Sequence, residues 1–342
     1  MKIVRIFPKY GIRNLLPSDT LWGNIIFAIK RLYGNKYFND ILENFLKGNP
    51  LFKISSCFPF EKNVDQEFVY YFPIPISPFL SDLTKNVQDE NNLINSMEEM
   101  VLFKEFKRIK FIEKKYFEEF LNAEINEFEL FRLFSEASKK SGNNNNYPFK
   151  FISTPKKTFT LHNTIDRWNI KTTETKEGGA LYWDEEYVFD GEKNGLFFLV
   201  EGDIDLIIPA LRLLSDIGIA GNNSIGKGKF YFDVEDFFIR TPNNPNSQVT
   251  LSLIYPNDED LNIISNLNNN LWYELKLRKG YTGIDFEVEP VEKNAFYVFG
   301  EGSVFMTTNF LNGKLLKTAH LNNGYEVYNY YYGYSISSFF KV

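Results

Sequence analysis

AGNNSIGKGKF, Ala220 to Phe230, is a glycine-rich run whose flanking segments decide which fold it belongs to. From Gly221 it reads G-x-x-x-x-G-K, the spacing of a Walker A phosphate loop, with Gly228 where that motif carries Ser or Thr for magnesium. A Walker A loop leaves a strand and enters a helix, whose N-terminus then holds the phosphates. Here the order is opposite. Upstream, DIDLIIPALRLLSDIG (Asp203 to Gly218) has helical apolar spacing and stops at a glycine, whereas downstream Lys229 to Ile239 alternates as a strand. The loop therefore joins a helix to a strand, and the nucleoside triphosphatase reading fails on context as well as on Gly228.

Working outward, GLFFLVEG before the helix reads as a strand, and Lys2 to Pro8 as another. Ser18 to Gly34 reads as a helix with Ser18 as N-cap, Gly34 as its stop and Leu21, Ile25, Ile29 and Leu32 on one face, beside Trp22, Ile26 and Tyr33. A second helix at about Lys36 to Lys47 precedes strands at Phe52 to Phe60 and Phe68 to Pro73. The major elements run strand, helix, strands, helix, strand, the βαββαβ order of a ferredoxin-like, or RRM-like, domain.

This first domain spans about 1–240. It carries a charged helical insertion at about 90–145 that ends in SGNNNNYPF, a hairpin arm at about 158–189 with a break at Gly178-Gly179, and the glycine-rich loop at 218–229. TPNNPNSQ marks a boundary. Beyond it, 247–342 reads as a smaller α+β domain that repeats the architecture, so the fold class is α+β with two ferredoxin-like domains. The aromatic terminus YEVYNYYYGYSISSFF suits either strand core or an exposed partner face.

Composition bounds the function. At about 150 residues per domain, 342 residues fit two domains, and 44% hydrophobic content supplies their cores. Cys57 is the only cysteine, which excludes an intrachain disulfide and a cysteine-based zinc site. Lys2, Arg5, Lys9 and Arg13 interrupt the N-terminal apolar residues, no signal peptide is read, and a cytoplasmic protein is expected. The net charge of −6 argues against a general nucleic-acid binder, but the charge is segregated. Met1 to Lys36 sums to +6 and Lys150 to Ala180 to +3, against −7 for Asp184 to Asp205. A basic track on an acidic body suits RNA, although a charge run is also what a solvated face looks like.

Glycines let successive backbone N–H groups converge on an anion, and Lys227 and Lys229 add charge. From composition two readings stand, an RNA-backbone cradle and a plain glycine-rich turn. With its helix before and strand after, GIAGNNSIGKGKF resembles the signature of the RAMP superfamily of CRISPR RNA-binding proteins. LLPSDTLWGNIIFAIKRLYG, GNPLFKISSCFPF, YYFPIP and HNTIDRWN followed by EGGALYWDEEY look like subunit four of the type III-A (Csm) effector complex. The likeness runs in order over about Met1 to Phe238. That family has a basic residue before the loop's serine, where this chain has Asn223.

The resemblance implies a non-catalytic subunit that binds the 5′ handle of the CRISPR RNA and joins the large polymerase-like subunit to the backbone RAMP subunit. Candidate RNA contacts are Gly221, Asn222, Asn223, Ser224, Gly226, Lys227, Gly228 and Lys229 in the loop. Ser18, Asp19 and Thr20 are added because a helix N-terminus attracts phosphate, with plain capping as the alternative. On the arm the candidates are His162, Asn163 and Arg167, with Trp168, Tyr182 or Trp183 available to stack on bases.

His162 and His320 are the only histidines. Related RAMP nucleases that process precursor RNA use histidine, so metal-independent cleavage by His162 is the alternative function. His320 is expected to be structural. Asp184-Glu185-Glu186 is expected to be a solvated or partner-facing edge, and no cofactor or metal is expected.

Overall fold

In a computed structural model, the structure describes residues 1–77, 97–140, 157–163, 165–166, 171–172, 174–175, 178–179, 181–221, 225–268, 270–282, 291–321, 324 and 326–341. In chain order the first half contains β1 (Lys2–Pro8), α1 (Ser18–Leu46), β2 (Phe52–Ile54), β3 (Phe58–Lys62) and β4 (Phe68–Pro73). The insertion follows as α2 (Met97–Phe106), β5 (Phe111–Glu113), α3 (Lys114–Leu121) and α4 (Glu127–Lys140). The arm is β6 (Lys157–Asn163), the short strands β7 (Ile165–Asp166), β8 (Lys171–Thr172), β9 (Glu174–Thr175) and β10 (Gly178–Gly179), and β11 (Leu181–Tyr187). β12 (Asn194–Gly202), α5 (Ile204–Ile217) and β13 (Phe230–Asp236) complete this half.

Its sheet is antiparallel in the order β13-β1-β12-β3-β4-β5, with β2 beside β12. Period-two alternation sorts the side chains: Val4, Ile6, Phe198, Val200 and Phe230 face α1 and α5. Ile3, Phe58, Phe60, Phe197 and Leu199 face the other way, onto α2 to α4 and onto Val249, Leu251 and Ile336 of the second half. Covered on both faces, β12 is buried at every residue from Gly195 to Val200, which is why GLFFLV has no polar alternation.

The second half contains β14 (Ser247–Thr250), α6 (Asp258–Ser265), β15 (Leu271–Trp272), β16 (Leu275–Arg278), β17 (Phe296–Phe299), β18 (Val304–Phe305), β19 (Gly313–His320), β20 (Glu326–Tyr332) and β21 (Ser335–Ser338). The four-stranded sheet runs β15-β18-β14-β21. Its last, first, third and second strands are adjacent in the same order as β13-β1-β12-β3, and the β19–β20 hairpin occupies the position in the chain that α5 has in the first half. This hairpin lies on α1. Tyr330 stacks on Trp22 at 5.7 Å, Tyr332 meets Phe45 at 5.8 Å, and the Tyr332 hydroxyl donates to the Phe45 carbonyl. Of the two readings of the aromatic terminus, core is therefore the correct one.

Several local expectations are corrected. The N-cap of α1 is Pro17, with no side-chain bond, and Ser18 is its first helical residue. Gly34 does break the helix, at φ +82°, but the chain re-enters helix at once, and Leu32 and Tyr33 lie exposed beside the kink instead of on the apolar face. The expected strand at Phe52 to Phe60 is two strands. Ser55 exchanges hydrogen bonds with Leu199 through both its backbone and its hydroxyl, and Ser56 then bonds to Leu251, turning the chain from one half to the other. Within the insertion, β5 is a strand, paired with β4. Gly178-Gly179 forms β10, paired with Glu174 and Thr175 of β9 in a sheet separate from the β6–β11 ladder.

Candidate nucleic-acid interface

The loop begins where α5 ends. Asp203 caps that helix by accepting from the Leu206 N–H at 3.2 Å, and Gly218, at φ +92°, terminates it with its N–H on the Leu214 carbonyl at 2.8 Å. Ten residues later the loop closes on itself, the Ile219 N–H donating to the Gly228 carbonyl at 3.0 Å. Gly228 sits at φ +76°, and a Cβ there would land on the Ile219 backbone, so this position requires glycine twice over. Gly221 and Gly226 also have positive φ but open space around them.

Two other segments converge on this loop. The Gly228 N–H donates to the Gly11 carbonyl at 3.2 Å, and the Lys9 N–H to the Lys229 carbonyl at 2.8 Å. Ile12 and Tyr187 exchange backbone bonds of 2.9 and 2.8 Å, fixing the β1–α1 connection to the root of the arm. Glu186 lies against Gly11, where any side chain would collide with its carboxylate. The Lys227 ammonium is 2.9 Å from Glu186 and 3.8 Å from Asp184, Arg13 reaches Asp184 at 3.4 Å, and Lys157 pairs with Glu185.

This corrects the reading of the acidic triplet. Asp184-Glu185-Glu186 is not a free solvated edge: the shielded Asp184 and Glu186 balance Arg13 and Lys227, and the more exposed Glu185 pairs with Lys157. The Lys227 side chain is only 17% exposed, and its charge is directed inward.

At the base of the arm β6 and β11 pair as an antiparallel ladder in which Tyr182 lies opposite His162 and Trp183 opposite Leu161. Phe159, Leu161, Leu181 and Trp183 are all exposed, Trp183 at 67%. His162 stacks on Tyr182, ring centroids 5.5 Å apart and 20° from parallel. A cleft of about 390 Å³ is lined by Arg13, Asn14, Lys157, Trp183 and Tyr187 together with Asp184 and Glu185.

The remaining predicted residues sit elsewhere. Ser18 and Asp19 are buried at the junction of the two halves: Ser18 Oγ accepts from the Leu253 N–H at 3.0 Å, the Ser18 N–H donates to Ser56 Oγ at 3.0 Å, and Asp19 holds Arg278 at 2.8 and 2.9 Å. Thr20 lies beside them, its N–H and hydroxyl donating to Asp19. Asn163 is exposed at the far end of β6. Asn222, Asn223, Ser224, Arg167 and Trp168 lie outside the described residues. His320 is exposed at the end of β19, opposite Glu326.

Lys9, Tyr10, Asn14 and Tyr231, which the sequence did not single out as site residues, also lie at this surface. Lys9 and Tyr10 are exposed next to the loop, and the Lys9 ammonium lies 3.7 Å from the Tyr231 ring centroid. The basic N-terminal count flagged Lys9 and Arg13, but the pairing of β1 with β13 was needed to place them. Among the described residues no group of three His, Cys, Asp or Glu side chains is arranged to hold a metal, and no helix is long and apolar enough to cross a membrane.

Residues 3–231 match the RAMP superfamily, and residues 243–337 match the CRISPR Csm4 C-terminal domain. A relative from Thermococcus onnurineus (strain NA1), described as CRISPR system Cms protein Csm4, is 26% identical over 259 residues, which cover 74% of each chain. Among solved structures, the chain is similar to one in the Csm3–Csm4 subcomplex of the type III-A CRISPR-Cas interference complex, with a TM-score of 0.61, 18% identity and full coverage of both chains. It is also similar to one in the Csm1–Csm4 cassette in complex with pppApA, with a TM-score of 0.57 and 20% identity over 98% of this chain and 97% of that one. At these identities the structural likeness is one of fold.

Proposed function

The chain belongs to the RAMP superfamily, in the Csm4 family of type III-A CRISPR proteins, and from that premise we propose that it is a non-catalytic RNA-binding subunit. In this reading it holds the 5′ handle of a CRISPR RNA and joins a large polymerase-like subunit, the counterpart of Csm1, to a backbone RAMP subunit, the counterpart of Csm3. Both halves, 1–240 and 247–342, are read as ferredoxin-like domains on their shared strand order.

The observation that carries this reading is the convergence of the β1–α1 connection, the arm root and the glycine-rich loop at one end of the first sheet. Their acids are consumed internally, while Lys9, and Arg13 with its side chain 54% exposed although it also reaches Asp184, remain at the surface near the loop, where Gly221 and Gly226 have open space around them. Such an edge suits a sugar-phosphate backbone, which supplies affinity without sequence readout. Asn222, Asn223, Ser224 and Lys229 complete the proposed loop contacts, with His162 and Asn163 further out on the arm. Ser18 and Asp19 are assigned to the junction and not to RNA, because their polar atoms are already engaged.

The test is handle-containing RNA binding by the assembled complex over a range of salt. Replacing Arg13 and Lys229 with Ala should weaken binding and lower the salt slope by about two, one per lost phosphate contact. Unchanged affinity and slope would falsify the loop assignment. Incubation with repeat RNA in the absence of metal should leave the RNA intact; a site-specific cut abolished by His162→Ala establishes the nuclease instead.

A further inference from the structure

The sheet face opposite α1 and α5 is covered over most of its area, but not at its outer end. There Tyr231 is 62% exposed and Phe7 and Phe68 are only half-buried. Tyr231 pairs directly with Phe7 across β13 and β1. Phe7 packs edge-on against Phe60 at 5.1 Å and lies 6.2 Å from Phe68. Gly195 has no side chain at this level, and the Phe60 ring fills the space a Cβ would need. The result is an aromatic row across the sheet that opens to solvent at Tyr231. Cations rim it: the Lys9 ammonium lies 3.7 Å from the Tyr231 centroid and the Lys62 ammonium 5.2 Å from that of Phe68.

We propose that Tyr231, with Phe7 and Lys9, forms a stacking site for an unpaired base of single-stranded RNA. The inference rests on the RNA-holding reading above and extends it from the loop onto the sheet. An exposed ring on a sheet surface accepts a base of any identity, and flanking ammonium groups supply the counter-charge for its phosphate. The site is continuous with the loop, because the Lys9 N–H is bonded to the Lys229 carbonyl at 2.8 Å and Tyr231 follows two residues later. The lysine rim favours a polyanion over an apolar protein segment. Asp233 and Glu235 lie further along β13 and are turned onto Arg5, which directs the phosphates to the Lys9 end.

The experiment uses the assembled complex and single-stranded RNAs carrying 2-aminopurine at one position each. Stacking quenches the probe at one position, Tyr231→Phe keeps that quenching, and Tyr231→Ala removes it and weakens binding roughly tenfold. If Tyr231→Ala changes neither quenching nor affinity while the Arg13 and Lys229 double variant still binds weakly, the stacking site is wrong and the loop reading survives. If that double variant also binds normally, both fall. Equal losses in Tyr231→Phe and Tyr231→Ala identify a hydroxyl contact, and release of a protein subunit at unchanged RNA affinity identifies a protein contact; either overturns the proposal.

Discussion

Lys227 and Glu186 form an ion pair of 2.9 Å between the glycine-rich loop and the root of the arm, with both side chains largely shielded, 17% and 12% exposed. Lys227 thus acts on the arm's orientation through a protein partner. Removing one member of such a pair leaves the other charge poorly solvated, at a cost of about 2 to 3 kcal/mol. Lys227→Ala should raise amide hydrogen exchange across β6 and β11, and the Lys227→Glu, Glu186→Lys double exchange should recover part of the protection. Unaltered exchange in Lys227→Ala would show that the arm is held by its backbone bonds alone.

The loop's glycines are not equivalent. Gly228→Ala places a Cβ on the Ile219 backbone at a positive φ and should destabilise the first half by more than about 2 kcal/mol. Gly221→Ala has open space and pays only for its positive φ, about 1 kcal/mol. Thermal melts of the two variants compare these directly, and equal shifts would contradict the close approach at Gly228.

Asp19 and Arg278 tie α1 to β16, with Asp19 nearly inaccessible. Arg278→Met removes the charge that balances a buried carboxylate and should cost about 3 kcal/mol, more than Asp19→Asn with Arg278→Met combined. Urea unfolding of the single and double variants measures that difference, and strict additivity excludes the coupling.

Burial in the insertion pushes the Glu127 carboxyl up to about 7, opposed by the Ser77 hydroxyl, which donates to it at 2.6 Å, and by Lys107. A carboxyl raised in the folded state contributes stability that is complete below its unfolded value near 4.3 and lost as pH rises through about 7. The loss across that window is on the order of 3 kcal/mol. Glu127→Gln keeps an acceptor for Ser77 and should flatten this pH dependence, so its advantage in melting temperature over the parent should be full at pH 8 and vanish below about pH 4.

The fold of the first half was legible because its punctuation is local. Gly218 stops α5, Gly34 kinks α1, and the apolar run of β12 announces a strand covered on both faces. What sequence order could not supply was which charges meet. Asp184, Glu185 and Glu186 read as an edge because their partners Arg13, Lys157 and Lys227 come from segments far apart in the chain. Ser18 and Asp19 read as a helix start for the same reason, since Leu253 and Arg278 lie more than 200 positions away. Tyr231 is one of 20 tyrosines, and only the β1–β13 register singles it out by setting it opposite Phe7 and under Lys9.

The β19–β20 hairpin gives the chain an unusual order of completion. Trp22 and Phe45 are made about 300 residues before Tyr330 and Tyr332, the rings that cover them. Until then the face of α1 that the hairpin covers stays open. A nascent chain that has not yet reached Tyr330 is thus a natural client for a chaperone, and truncation before Tyr330 should be read out as aggregation of the whole protein and not as the loss of one domain.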